Sequence, residues 1–94
     1  MATSVVNNRE RSRYELHTDG SVVGFADYIL DGGRVIFPHT EIDPSQRGQG
    51  LGAVLVRHAL DDVRSQGKRA VASCWYVAQF IDEHPEYKDL LASS

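Results

Sequence analysis

The stretch SQRGQGLGAVLVRHAL, residues 45–60, carries the clearest chemical signal in the chain. Gly48, Gly50 and Gly52 alternate with Gln49 and Leu51 just before a helical pattern begins. Backbone amides without a Cβ beside them can crowd around one ligand atom. The first N–H groups of a helix have no intrahelical partner, and the dipole is positive there. Together these features suit an anion, above all a phosphate. Two familiar phosphate loops do not fit. The P-loop ends in Gly-Lys-Ser/Thr, where this chain has Gly50-Leu51-Gly52. The dinucleotide fingerprint follows a parallel strand and needs an acidic residue about twenty positions on. Here the preceding strands read as antiparallel, and the spacing is Gly-x-Gly-x-Gly. Glycines in a helix start cost about 1 kcal/mol each relative to alanine, so a loop without a ligand would be a standing loss of stability.

Other reactive side chains flank this loop. His39 and Glu41 precede it, and Cys74 and Tyr76 follow the helix. Each has a plain structural reading as well. A lone cysteine is most often a small buried hydrophobe. A histidine or glutamate at a strand end is often only solvated, and a tyrosine often only packs.

The elements that must position these groups follow from the pattern. Met1–Arg11 is polar and unpatterned and is expected to be a disordered lead-in, leaving residues 12–94 as the single domain. Ser12–His17 reads as a strand, Thr18–Ser21 as a turn, Val22–Leu30 as a second strand and Asp31–Gly33 as another turn. Arg34–Thr40 is a third strand, with Val35 and Phe37 on one face, and its Pro38 demands an edge, a bulge or a splayed end. From there the period changes. Leu55, Val56, Ala59, Leu60 and Val63 form one buried helical stripe, with Arg57, Asp61 and Arg64 opposite, where they can pair along the helix. Gly67 ends the helix, Arg69–Ser73 forms a strand parallel to the third, and Trp75–His84 forms a closing helix stopped by Pro85. Tyr87, Leu90 and Leu91 can dock the tail. The fold class is α+β: an antiparallel meander, a crossover helix, a parallel strand and a closing helix.

Composition narrows the function. The chain has 94 residues, a net charge of −3 and 41% hydrophobic residues, which allows one domain with a thin core. No basic run marks a nucleic-acid face. Cys74 is the single cysteine, so no intramolecular disulfide can form and a reducing, cytoplasmic setting is expected. No signal-peptide core or bilayer-spanning stretch is visible, so no membrane partner is expected. The 4 histidines are scattered without zinc-ligand spacing, so no metal is expected.

The spacing Arg47-x-x-Gly50-x-Gly52 resembles the acetyl-coenzyme A pyrophosphate loop of the GNAT N-acetyltransferases. With it, HTEI at 39–42, CWYV at 74–77 and HPEY at 84–87 look like the short, single-domain, YjdJ-type branch of that superfamily. The resemblance runs from Tyr14 to Leu91. It implies a minimal GNAT fold in which the strand before the loop splays from its parallel neighbour and coenzyme A enters the gap. The pyrophosphate would lie on Gly48, Gln49, Gly50, Leu51 and Gly52 near Arg47, and the pantetheine beside Ile42, Cys74 and Tyr76. The implied activity is transfer of acetyl from acetyl-CoA to an amine on a small molecule or protein. The implied catalytic candidates are Cys74, as acyl carrier or acid, and His39 and Glu41 as bases. The alternative is a non-catalytic coenzyme A or acyl-CoA carrier or sensor. A monomer or weak homodimer is expected.

Overall fold

The computed structural model describes residues 3–46, 48 and 50–92. Its sheet has five strands in the order β1-β2-β3-β4-β5: β1 (Thr3–Asn8), β2 (Arg13–Thr18), β3 (Ser21–Asp31), β4 (Arg34–Ile42) and β5 (Arg69–Ala72). The pairings from β1 to β4 are antiparallel, and β4 pairs with β5 in parallel. Helix α1 (Leu51–Ser65) makes the crossover and α2 (Trp75–Glu83) follows β5. The α+β meander and crossover read from the pattern are therefore present. The lead-in is corrected: Thr3–Asn8 forms β1, in register with β2. Its β-branched residues suit an edge strand, and Asn7 Oδ1 accepts a 2.7 Å bond from the Tyr28 hydroxyl.

The helices cover one face of the sheet. Leu55, Val56, Ala59, Leu60 and Val63 form the buried stripe of α1, and they share a core with Tyr14, Leu16, Ala26, Val35 and Phe37 from the strands. Val77, Phe80 and Ile81 of α2 join the same core, as do Tyr87 and Leu90 of the terminal 3-10 segment. Gly67, at φ 69°, closes α1: Lys68 N–H bonds back to the Val63 carbonyl at 3.1 Å, so an orphan carbonyl is satisfied. Among the described residues the charged side of α1 closes no ion pair along the helix, contrary to expectation. It holds the tail instead. Arg64 grips Asp89 at 2.8 and 3.0 Å, and the Tyr87 hydroxyl donates to Asp61 at 2.7 Å and accepts from Arg57 at 3.1 Å.

One irregularity builds the site. Asp27 pairs with His39, but Ile29 pairs with Ile36, so Phe37 and Pro38 together face Tyr28. This is a β-bulge, and Pro38, which has no N–H to donate, sits in it. The parallel ladder to β5 ends just there, at Phe37–Ala72, and the Cys74 N–H makes the last link, to the Phe37 carbonyl at 2.8 Å. Past the bulge β4 is held by β3 alone on its ladder, and its other edge opens toward the start of α1.

Candidate functional site

The register places β4 side chains on two faces. Tyr14, Ala26 and Thr40 lie in one cross-strand row, and Leu16, Gly24 and Ile42 in the next, both on the helix side. Arg13, Asp27 and His39, and Glu15, Phe25 and Glu41, make the matching rows on the face turned away from the helices. Since β5 has ended, the open edge of β4 can be reached from both sides. A cleft of ≈ 620 Å³ fills this gap. His39, Thr40, Glu41 and Ile42 form one wall, Gly48, Gly50, Leu51 and Gly52 the floor, and Trp75 and Tyr76 the other wall.

The floor is built by backbone conformation. Gly48 and Gly50 take φ values of 84° and 73°, a region that favours glycine. Gly50 is the N-cap of α1 and no side chain caps the helix. Gly52 has a different reason to be glycine: an added Cβ would stand 2.7 Å from Cζ of Tyr76 and nearer still to its hydroxyl. The aromatic ring therefore lies directly on the first turn of the helix.

The wall groups differ in their electrostatics. His39 Nε2 and Glu41 Oε1 are 3.3 Å apart, with side chains 52% and 62% exposed, so both are open to water or a ligand. Burial, and then the charge of Glu83, pushes the Tyr76 phenol above its usual range, which keeps it a proton donor at neutral pH. The Thr40 hydroxyl oxygen is buried and finds no hydrogen-bond partner among the described residues. Such a group in a cleft wall is a place where a bound molecule would restore a lost bond.

The cleft thus gathers His39, Glu41, Ile42, Gly48, Gly50, Leu51, Gly52 and Tyr76 from the residues picked out in the sequence. Arg47 and Gln49 lie outside the described residues. Cys74 is not brought to the cleft, contrary to expectation. It is 7% exposed and belongs to the core, because the chain leaves the sheet at Cys74 to cap α2 and strand alternation no longer aims its side chain. Sequence reasoning passed over Thr40, whose placement depends on the bulge phase, and gave Trp75 no part in the site. Trp75 is 73% exposed on the cleft rim. Among the described residues no group of histidine, cysteine or acidic side chains is placed to hold a metal, and no helix is long and apolar enough to cross a membrane.

The same fold recurs in solved structures. A GCN5-like protein from Staphylococcus aureus superposes with a TM-score of 0.73 at 16% identity, over 97% of this chain and 89% of that one. The ribosomal-protein-S18-alanine N-acetyltransferase of Escherichia coli gives 0.66 at 24% identity, over 82% of this chain and 54% of the enzyme. The family model for GCN5-related N-acetyltransferases matches residues 13–90, and the chain belongs to that family. Among curated relatives, the bovine protein NATD1 is 32% identical over 85 residues, 86% of this chain and 74% of its own length. The streptothricin acetyltransferase of Streptomyces lavendulae is 41% identical over 51 residues, 52% of this chain and 27% of that protein.

Proposed function

We propose that the chain binds acetyl-CoA in the ≈ 620 Å³ cleft and transfers the acetyl group to an amine. The observation that carries this reading is the coincidence of three features at one place. They are a strand edge opened by the Pro38 bulge, a glycine-lined helix start and a tyrosine held protonated beside it. The amides of the first turn of α1 suit a pyrophosphate, because unsatisfied N–H groups and the dipole act together. The open edge of β4 around Thr40–Ile42 offers backbone groups to an extended chain such as pantetheine. The orphaned Thr40 hydroxyl supplies one further polar contact.

In this reading Glu41, with His39 at 3.3 Å, takes the proton of the incoming amine. The new bond joins the amine nitrogen to the acetyl carbon, the carbon–sulfur bond of the thioester breaks, and the departing sulfur takes a proton from the Tyr76 hydroxyl. Cys74, which the sequence offered as an acyl carrier, has no part in these steps, since its thiol sits in the core.

The test is calorimetric titration of acetyl-CoA into the wild type and Gly50→Glu. The substitution sets a carboxylate at the helix pole and forces a left-handed backbone that costs about 1–2 kcal/mol. Loss of binding in a variant that still folds supports the site, and unchanged affinity refutes it. Radiolabelled transfer to a panel of amines then separates an enzyme from a carrier or sensor. A cofactor that binds but is never turned over would favour the latter.

A further inference from the structure

A second cavity, of ≈ 430 Å³, adjoins the cleft and shares Glu41 and Ile42 with it. We propose that this cavity is the acceptor pocket and that it takes an α-amino-acid group, an ammonium one carbon away from a carboxylate or peptide carbonyl, carrying an aliphatic side chain. The inference rests on the acetyl-transfer reading of the cleft and names the acceptor it would serve.

The lining is mixed in a way that fits such a group. Phe25 stands between Glu15 and Glu41 in one cross-strand row, on the face turned away from the helices. The Arg13 guanidinium lies 4.7 Å over the Phe25 ring, and its Nε is fixed by Glu15 at 2.8 Å. Its terminal nitrogens enter no hydrogen bond or ion pair among the described residues. They can therefore take a carboxylate or carbonyl oxygen, in the fork geometry that suits arginine. A cation and the Glu41 carboxylate thus border the same aromatic ring. An α-amino acid with a hydrogen bond at each charged end spans about 8 Å, roughly the reach across two neighbouring strands. Val22 and Pro44 supply the apolar wall for an aliphatic side chain.

Glu41 belongs to both cavities, so an ammonium bound beside it would stand next to the thioester site. One proton of the ammonium would pass to Glu41, and the freed nitrogen would attack the acetyl carbon as the thioester's carbon–sulfur bond breaks. The departing sulfur would take the Tyr76 proton, and the second proton shed by the nitrogen would return to the Tyr76 oxygen. Asp43 also lines the cavity, so a polyamine could set its second cation there, but it would still leave the Arg13 guanidinium without an acceptor, as would a simple alkylamine. Both should bind less well.

Free leucine and a peptide that begins with leucine share this chemistry, and a comparison of the two tells the sources apart. The full chain is titrated by NMR, loaded with coenzyme A, against leucine, a leucine-first tripeptide, 3-methylbutan-1-amine and putrescine. Leucine or the tripeptide should shift the Val23 and Phe25 amides at least tenfold more tightly than 3-methylbutan-1-amine, and putrescine should be weaker again. Arg13→Gln should abolish the advantage. If that variant fails to fold, Val22→Trp at a half-exposed site fills the same cavity and should block leucine. Equal affinity for the four probes, shifts located elsewhere, or no effect of Val22→Trp overturns the proposal. Coenzyme A binding is read separately from the Gly50 and Gly52 amides. Its loss would remove the acetyl-transfer reading, whereas its presence without amino-acid binding would remove only this inference.

Discussion

Gly52→Ala should separate what the glycine does for the fold from what it does for the site. In a helix interior the change stabilises by about 0.5–1 kcal/mol, since alanine loses less backbone freedom on folding. Here the new Cβ would meet Cζ of Tyr76 at 2.7 Å, with the hydroxyl nearer still. To recover ordinary contact the ring must withdraw by about 1 Å or more. Pushing a side chain off its rotamer costs about 0.5–1.5 kcal/mol. The two terms nearly cancel, so the melting temperature of the free protein should move by less than about 5 °C. The cleft does not share in that cancellation. The methyl group stands among the amides that would receive the pyrophosphate, and the displaced phenol enters the space opposite. Acetyl-CoA affinity in calorimetry should fall at least tenfold, about 1.4 kcal/mol. Any transfer activity should fall further, because a misplacement of about 1 Å can cost about a hundredfold. Combining Gly52→Ala with Tyr76→Ala gives the methyl group room, and the double variant should bind better than the additive expectation. Unchanged affinity in Gly52→Ala, with a normal melting curve, would refute the assignment of this helix start to the cofactor.

Three further outcomes follow from the packing. Tyr14→Phe removes the 2.5 Å bond to Asp62, leaves that carboxylate with Gln66 as its one remaining side-chain donor among the described residues, and should cost about 1–3 kcal/mol in denaturant unfolding without altering acetyl-CoA affinity. Burial pushes the Glu15 carboxyl up, but bonds from Arg13, His17 and Asn8 outweigh it and hold the group below its ordinary 4.5. Its contribution to stability is therefore complete above that value and is lost as pH falls through the lower, folded pKa, so Glu15→Gln should flatten the acid limb of a pH–stability profile. Cys74→Ala should lose about 1 kcal/mol of stability through a small core void, keep the acetyl-CoA affinity of the wild type, and leave transfer intact. Mass spectrometry of the wild type with acetyl-CoA should show no acyl adduct on this thiol.

Much of the architecture was legible because local rules and tertiary demands agree. The Leu55–Val63 stripe, the turn at Gly32-Gly33 and the stop at Pro85 each have one strong local cause, and each lies where the pattern puts it. The misreadings share another origin. Strand β1 is short, polar and an edge strand, so its evidence lies in its partner and in the Tyr28–Asn7 bond, not in its own period. Arg57, Asp61 and Arg64 carry the spacing of in-helix pairs, yet the tail offers Tyr87 and Asp89 in better geometry. No local rule announces that a segment more than twenty positions away will compete.

The site shows the same division more sharply. The glycine loop was readable, because backbone chemistry needs no partner to be recognised. The residues of the wall opposite were named too, and Pro38 allowed for a bulge, but the face each one takes was not readable, because one extra residue in β4 decides it. Had Phe37 and Pro38 paired singly with β3, side-chain alternation would have continued unbroken through the end of the strand. His39 and Glu41 would then face the helices, and Thr40 would face away. The bulge instead turns His39 and Glu41 toward the uncovered face and puts the Thr40 hydroxyl inside. It comes at the point where the parallel ladder ends, so the shift of face and the opening of the edge arrive together. Pro38 is the residue that makes both compatible, since a strand position that must lose a partner is where a missing N–H does least harm. The placement of Glu41 between two cavities thus follows from a single inserted residue, and the acid–base chemistry proposed for the chain depends on that register as much as on the glycines.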